Sequence, residues 1–218
     1  MTYHAVNTKI KAMCGGLLNE RDYARMCLES GNFRPAIGDN PFLADMAKIL
    51  PHLDRNAQNF VKTSRGLEKL DKSSRASMKR VLGTEADIRN ILAIYRLKKF
   101  YNIAGDGVLG FLSVNGHRLN AEETTRLAYS RGVDGFARTV AEGFYGRYFQ
   151  KYADFARGEQ ILSHIKRLQF QKEYKHNNLS VVCGYLFARL LEEKNIRAII
   201  KGRENNLSFE EIFKLLHI

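Results

Sequence analysis

The sequence predicts an all-α protein, a helical repeat array, and three observations carry that expectation. Only three prolines occur, Pro35, Pro41 and Pro51, so the chain beyond Pro51 is free of the strongest helix breaker. No segment sustains the two-residue alternation of a half-buried strand. The chain also repeats its punctuation: NIRAII at 195–200 echoes DIRNIL at 87–92, and NLSFEEIFKLL at 206–216 echoes both LLNERDYARMC at 17–27 and RLNAEETTRLA at 118–128.

Taken in order, Tyr3 to Cys14 forms a short helix that Gly15-Gly16 ends. Asn19 caps the next helix with Asp22 as its acidic capping partner; Tyr23, Met26 and Cys27 face inward and Gly31 stops it. Asn40-Pro41 starts another, with Phe42, Leu43, Met46, Ile49 and Leu50 as its core-facing stripe. From Asp54 to Leu82 the chain is charged and helical in propensity, with few apolar anchors, which fits two exposed helices or one long one. Thr84, with Asp87 three residues later, reads as a capping box opening the helix TEADIRNILAIYRLKKFYNI. Asn120 to Arg131 is a second capped helix, with Glu123 in the capping position. Val133 to Tyr148 is helical in two pieces broken near Gly143. Phe155 to Tyr174 is amphipathic through Ile161, Leu162, Ile165, Leu168 and Phe170. A long helix follows from Asn178, a short break spans Gly202 to Asn206, and Ser208 with Glu211 caps the terminal helix.

Composition narrows the function classes. The 218 residues are 44% hydrophobic and 27% charged, ordinary for a globular protein. The formal net charge of +12 favours anionic partners, whether nucleic acid, lipid head groups or acidic protein surfaces, without choosing among them. Cys14, Cys27 and Cys183 are odd in number and widely spaced, and the six histidines are scattered. This makes neither a disulfide framework nor a zinc site, and no metal or cofactor is expected. Free thiols suit a reducing cytosol. The N-terminus lacks the apolar core of a signal peptide, and the most apolar run, Leu179 to Leu191, is too short for a bilayer and carries Arg189.

The recurring cap sets Asn19, Asn120 and Ser208 at the cap, Asp22, Glu123 and Glu211 three residues on, and Arg25, Arg126 and Lys214 at a basic position beyond. The second motif aligns Ile88-Arg89 with Ile196-Arg197 and Ile91-Leu92 with Ile199-Ile200. The chain therefore divides into a first unit at 1–104, a glycine-containing connection at 105–117 and a second unit at 118–218, each unit about 100 residues long. Such arrays stack helices and offer a surface to a partner. No nucleophile elbow, HExxH, phosphate loop or paired catalytic carboxylates appear, and Glu192 and Glu193 are adjacent, so they point to different sides of a helix. Gly105, Gly107 and Gly110 spell GxGxxG, but a helix precedes them and a loop follows, where a dinucleotide fingerprint needs a strand and then a helix. Arg89, Arg96, Arg197, Lys201 and Arg203 are the candidate partner-contact or structural cations. No residue is assigned a catalytic, cofactor-binding or metal-binding role.

The tail YLFARLLEEKNIRAIIKGRENNLSFEEIFKLL, Tyr185 to Leu216, resembles the C-terminal signature of the V-type/A-type ATPase C-subunit family, whose eukaryotic members are known as the d subunit. The start is similar too, through Tyr3, Val6, Asn7, Ile10, Lys11, Ala12 and Met13 followed by LLNERDYARM, and DIRNILAIYRLKKFYN at 87–102 resembles the family's internal copy. The resemblance implies a funnel-like all-helical fold. It also implies a non-catalytic central-stalk subunit that couples the rotor axle to the membrane rotor ring. Its partners would be that ring and the other stalk subunits. Its place would be cytoplasmic, peripheral to the membrane through the complex and not inserted. Family members usually carry three helical units and this chain has room for two; because both ends match, the shortage is expected to be internal.

Two other readings stand beside this one. The basic cluster of Lys62, Arg65, Lys69, Lys72, Arg75, Lys79 and Arg80 is the best nucleic-acid candidate, against which no recognition-helix motif or aromatic platform accompanies the charge. An enzyme using the glycine loop with a nucleotide is the third.

Overall fold

The computed structural model describes residues 3–28, 41–151 and 155–218. Among these residues every regular element is a helix: α1 (His4–Cys14), α2 (Glu20–Leu28), α3 (Pro41–Ile49), α4 (Arg55–Thr63), α5 (Lys72–Tyr101), α6 (Asp106–Leu109), α7 (Ala121–Tyr129), α8 (Gly132–Glu142), α9 (Gly146–Lys151), α10 (Gly158–Glu173), α11 (Leu179–Glu204) and α12 (Phe209–Leu215), with short 3-10 turns between some of them. The all-α expectation holds. The expected helix stop at Gly31 and cap at Asn40 lie outside the described residues.

Compactness partitions the chain differently from the sequence copies. One unit comprises residues 1–78 with 170–218, and the other residues 79–169. The copies expected at 1–104 and 118–218 rest on recurrence along the sequence; the compact units express which helices pack together. The 105–117 connection falls inside the second unit.

In the first unit α11 is the organising helix, packed by α1, α2, α3 and α12. Its buried residues include Leu179, Val182, Tyr185, Leu191, Ile196 and Ile199, and one core cluster joins Ile199 to Tyr23 and Cys27 of α2 and to Ile212 and Leu216. Each such aliphatic side chain contributes about 1.5–3 kcal/mol by leaving water. Gly202, expected to begin a break, lies inside α11 instead, and the helix continues to Glu204. A Cβ on Gly202 would stand 2.6 Å from Ile212 Cγ1, so its bare backbone is what lets α12 approach. A buried polar network joins the starts of three helices. Asn178 Nδ2 donates to Ser73 Oγ (2.8 Å) and Ser77 Oγ (2.9 Å), Leu179 N–H donates to Ser74 Oγ, and Asn7 Nδ2 donates to Asn177 Oδ1 and Asn178 O.

The α3 stripe is corrected in one place. Ile49 is buried, but Leu43 is 50% exposed, and Asp45, outside the expected stripe, is buried instead. Its carboxylate accepts from the Tyr185 hydroxyl (2.7 Å) and Arg189 Nε (2.9 Å). Arg189 also pairs with Glu192, whose Oε1 accepts the Leu18 N–H at 2.8 Å. A buried carboxylate is tolerable because these partners replace its water.

In the second unit the core holds Ile88, Ile91, Ile94 and Tyr95 of α5, Leu127, Phe136, Val140 and Phe149, with Ile161 and Ile165 of α10. Phe155 stacks on both Tyr95 and Phe149, with ring centroids 4.8 Å apart in each case. The expected break near Gly143 is present between α8 and α9. The helix start expected at Thr84 is absent. α5 begins near Asp71, whose Oδ1 accepts the N–H groups of Ser73 and Ser74, and runs unbroken to Tyr101. A capping sequence inside a helix leaves its acid free for other work.

All three recurrent caps are realised. Asn19 Oδ1 accepts from Arg21 and Asp22 N–H, while Asp22 Oδ2 accepts from Asn19 N–H (2.8 Å). Full reciprocal boxes stand at Asn120/Glu123 and Ser208/Glu211. The residues that follow the basic position diverge, since Leu127 after Arg126 is buried whereas Leu215 after Lys214 is 46% exposed.

Candidate partner surface

The five candidate cations divide by what they touch. Arg89 pairs with Glu85 (2.9 Å) and Arg197 with Glu193 (2.9 Å), each one helical turn back, so the repeated Ile-Arg motif carries the same ion pair in both copies. Arg96 lies 3.8 Å from Glu159. Arg203 donates to the Met26 carbonyl at 3.4 Å. Lys201 is exposed and forms no ion pair among the described residues. Arg89 and Arg96 belong to the second compact unit, and Arg197, Lys201 and Arg203 to the first.

Glu85 has a second partner, Lys166 Nζ at 2.5 Å. Burial pushes the Glu85 carboxyl up, but Lys166 and Arg89 more than offset this and hold it below its usual value. Glu192 and Glu193 are both buried and engaged separately, Glu192 with Arg189 and Leu18, Glu193 with Arg197. Of the basic cluster at 62–80, Lys62, Arg65, Lys69 and Lys72 are exposed, while Arg75 turns inward to the Leu70 carbonyl.

The residue around which a surface is built is Asp87, wholly buried within α5. Its carboxylate accepts the backbone N–H groups of His117 (3.1 Å), Arg118 (2.7 Å) and Leu119 (3.3 Å) and the Tyr145 hydroxyl (2.7 Å). Burial and that hydrogen bond push the Tyr145 phenol well above its ordinary value. Three residues along, Asn90 exchanges two hydrogen bonds with the backbone of Ser113. The glycine-containing connection is thus tied to α5 at two levels, and Gly105 (φ +59°) donates its N–H to the Ala128 carbonyl. Gly116 has a steric role, because a Cβ there would lie 2.2 Å from Asp87 Oδ1. Lys98, buried, donates to the Ala128 and Ser130 carbonyls (2.7 Å each), where a cation complements the C-terminal end of the α7 dipole. Burial lowers its pKa.

Outside this scaffold, Arg118 and Arg147 lie 4.9 and 4.7 Å from the Phe144 ring centroid, and Arg147 lies 5.5 Å from that of Tyr148. A small pocket beside Phe144 is lined by Leu119, Arg126, Leu127, Val140 and Gly143. None of these residues was singled out by the sequence as a site. The run GFYGRY held part of the signal, since Phe144 and Arg147 are three apart; Arg118 joins them only through Asp87. Among the described residues no group of three or more metal-ligating side chains occurs, no two cysteines form a disulfide, and no helix is long and apolar enough to cross a membrane.

Comparison with known proteins defines the class. The model of the ATP synthase (C/AC39) subunit family matches residues 44–215, and the chain belongs to that family. The C subunit of the A-type ATP synthase of Methanocaldococcus jannaschii is 26% identical over 147 residues, covering 62% of this chain and 36% of that protein. The chain thus spans about a third of the length of that curated relative. No solved structure matches it.

Proposed function

We propose that the chain is a non-catalytic central-stalk subunit of a V/A-type rotary ATPase, coupling the rotor axle to the membrane rotor ring from the cytoplasmic side. The observation that carries this is the family match over residues 44–215, which includes both copies of the Ile-Arg motif. The reading assigns ATP chemistry and ion passage to other subunits and gives this chain a peripheral position beside the ring. It keeps the two sequence copies, 1–104 and 118–218, as repeats of one helical unit. Arg89 and Arg197 then serve as structural pairs, and Lys201 is the candidate cation left available for a partner. Affinity purification from detergent-solubilised native membranes tests the proposal. Recovery of the ring and stalk subunits with the chain is expected, and a chain found only in soluble fractions, without them, would end it.

A further inference from the structure

One buried acid positions two separate surface segments. Asp87 holds the backbone at 117–119 and the Tyr145 hydroxyl at once, which sets Arg118 beside Phe144 and Arg147. Both guanidinium groups are exposed, and neither has an acidic partner among the described residues. Arg147 Nε donates to the Phe144 carbonyl at 3.5 Å, and the terminal N–H groups of both side chains remain to receive carboxylates. Arg126 adds a third cation at the adjoining pocket, whose other walls include Leu119, Leu127 and Val140. Glu123 also lines that pocket, but its carboxylate accepts the Asn120 N–H at 3.2 Å.

The geometry points to a docking site for an acidic segment of a partner protein, with its carboxylates on Arg118 and Arg147. Charge complementarity selects the sign of the occupant, and two guanidinium groups held against one ring suit the closely spaced carboxylates of an acidic segment. The Phe144 ring already engages two arginines, so it is not a free platform for stacking a base. An aromatic ring flanked by arginines next to a pocket is the composition in which binding energy concentrates.

Fluorescence anisotropy with the intact chain and a labelled peptide of alternating glutamate and leucine tests this, with the glutamine–leucine peptide, phosphatidylserine-containing vesicles and a DNA duplex as the other arms. The acidic peptide is expected to bind in preference to all three. Arg118→Gln, Arg147→Gln and Phe144→Ala should each weaken it roughly tenfold, while Lys62→Gln leaves it unchanged. These positions are exposed, so circular dichroism should show full helicity in each variant. Equal binding of the glutamine peptide, preference for vesicles or duplex, or unchanged affinity in both arginine variants overturns the assignment. Peptide binding that fails while the chain still co-purifies with ATPase subunits removes this site alone.

Discussion

Replacing Asp87 by alanine would strand three backbone N–H groups and a buried phenol hydroxyl without an acceptor. Each stranded group costs on the order of 1–3 kcal/mol, so Asp87→Ala should be among the most damaging single changes in the chain. Asp87→Asn keeps the volume and one good acceptor and should lose less. Urea unfolding of the two variants checks the order, and equal stability of Asp87→Ala with the parent would contradict it. A second consequence at this scale concerns acid. Burial raises the Asp45 carboxyl, but the Tyr185 hydroxyl and Arg189 pull it further down, and Lys166 does the same for Glu85. A carboxyl more acidic in the fold than in the unfolded chain stabilises the fold above its unfolded value, near 4. That contribution disappears as pH falls through the lower folded value. Stability from these groups should therefore be flat between about pH 5 and 7 and decline below about 4. Asp45→Asn should reduce the acid slope, measured as the urea midpoint against pH.

At the scale of the element, the recurrent caps are the testable units. Ser208→Ala removes the oxygen that accepts the Glu211 N–H at the start of α12 and should cost about 1 kcal/mol, read as a lower melting temperature. Gly202→Ala acts differently. It improves helix propensity within α11, yet its methyl would collide with Ile212. Overpacking of that kind costs typically about 1–3 kcal/mol, so a net loss of stability is expected, and a gain would show that α12 yields easily. The same residues show how far local sequence carries. Capping oxygen and acid three apart were legible at Asn19, Asn120 and Ser208 because a cap is satisfied by its own neighbours. Thr84 and Asp87 have the same spacing, but α5 runs through them. The continuous helix satisfies their backbone, and the acid is recruited by a loop 30 residues further on. Local spacing does not separate those two outcomes.

At the scale of the molecule, the proposed stalk role leads to a peripheral attachment. With 35 basic and 23 acidic residues the chain should be held to anionic partners partly by charge. Washing native membranes with high salt or a chaotrope should release it without detergent, read by immunoblot of supernatant and pellet. A chain extracted by detergent alone would not be a peripheral component of this kind. The sequence alone determined the helical class, almost every helix, the three caps and the family, since each rests on propensity, periodicity or motif order within a short window. Only the tertiary structure decided which helices share a compact unit, that Gly202 is a packing contact, that Asp45 belongs to the core, and that Asp87 brings Arg118 to Phe144 and Arg147. Those outcomes depend on side chains distant in sequence meeting where water is excluded. There a buried acid must find its hydrogen bonds wherever the fold supplies them.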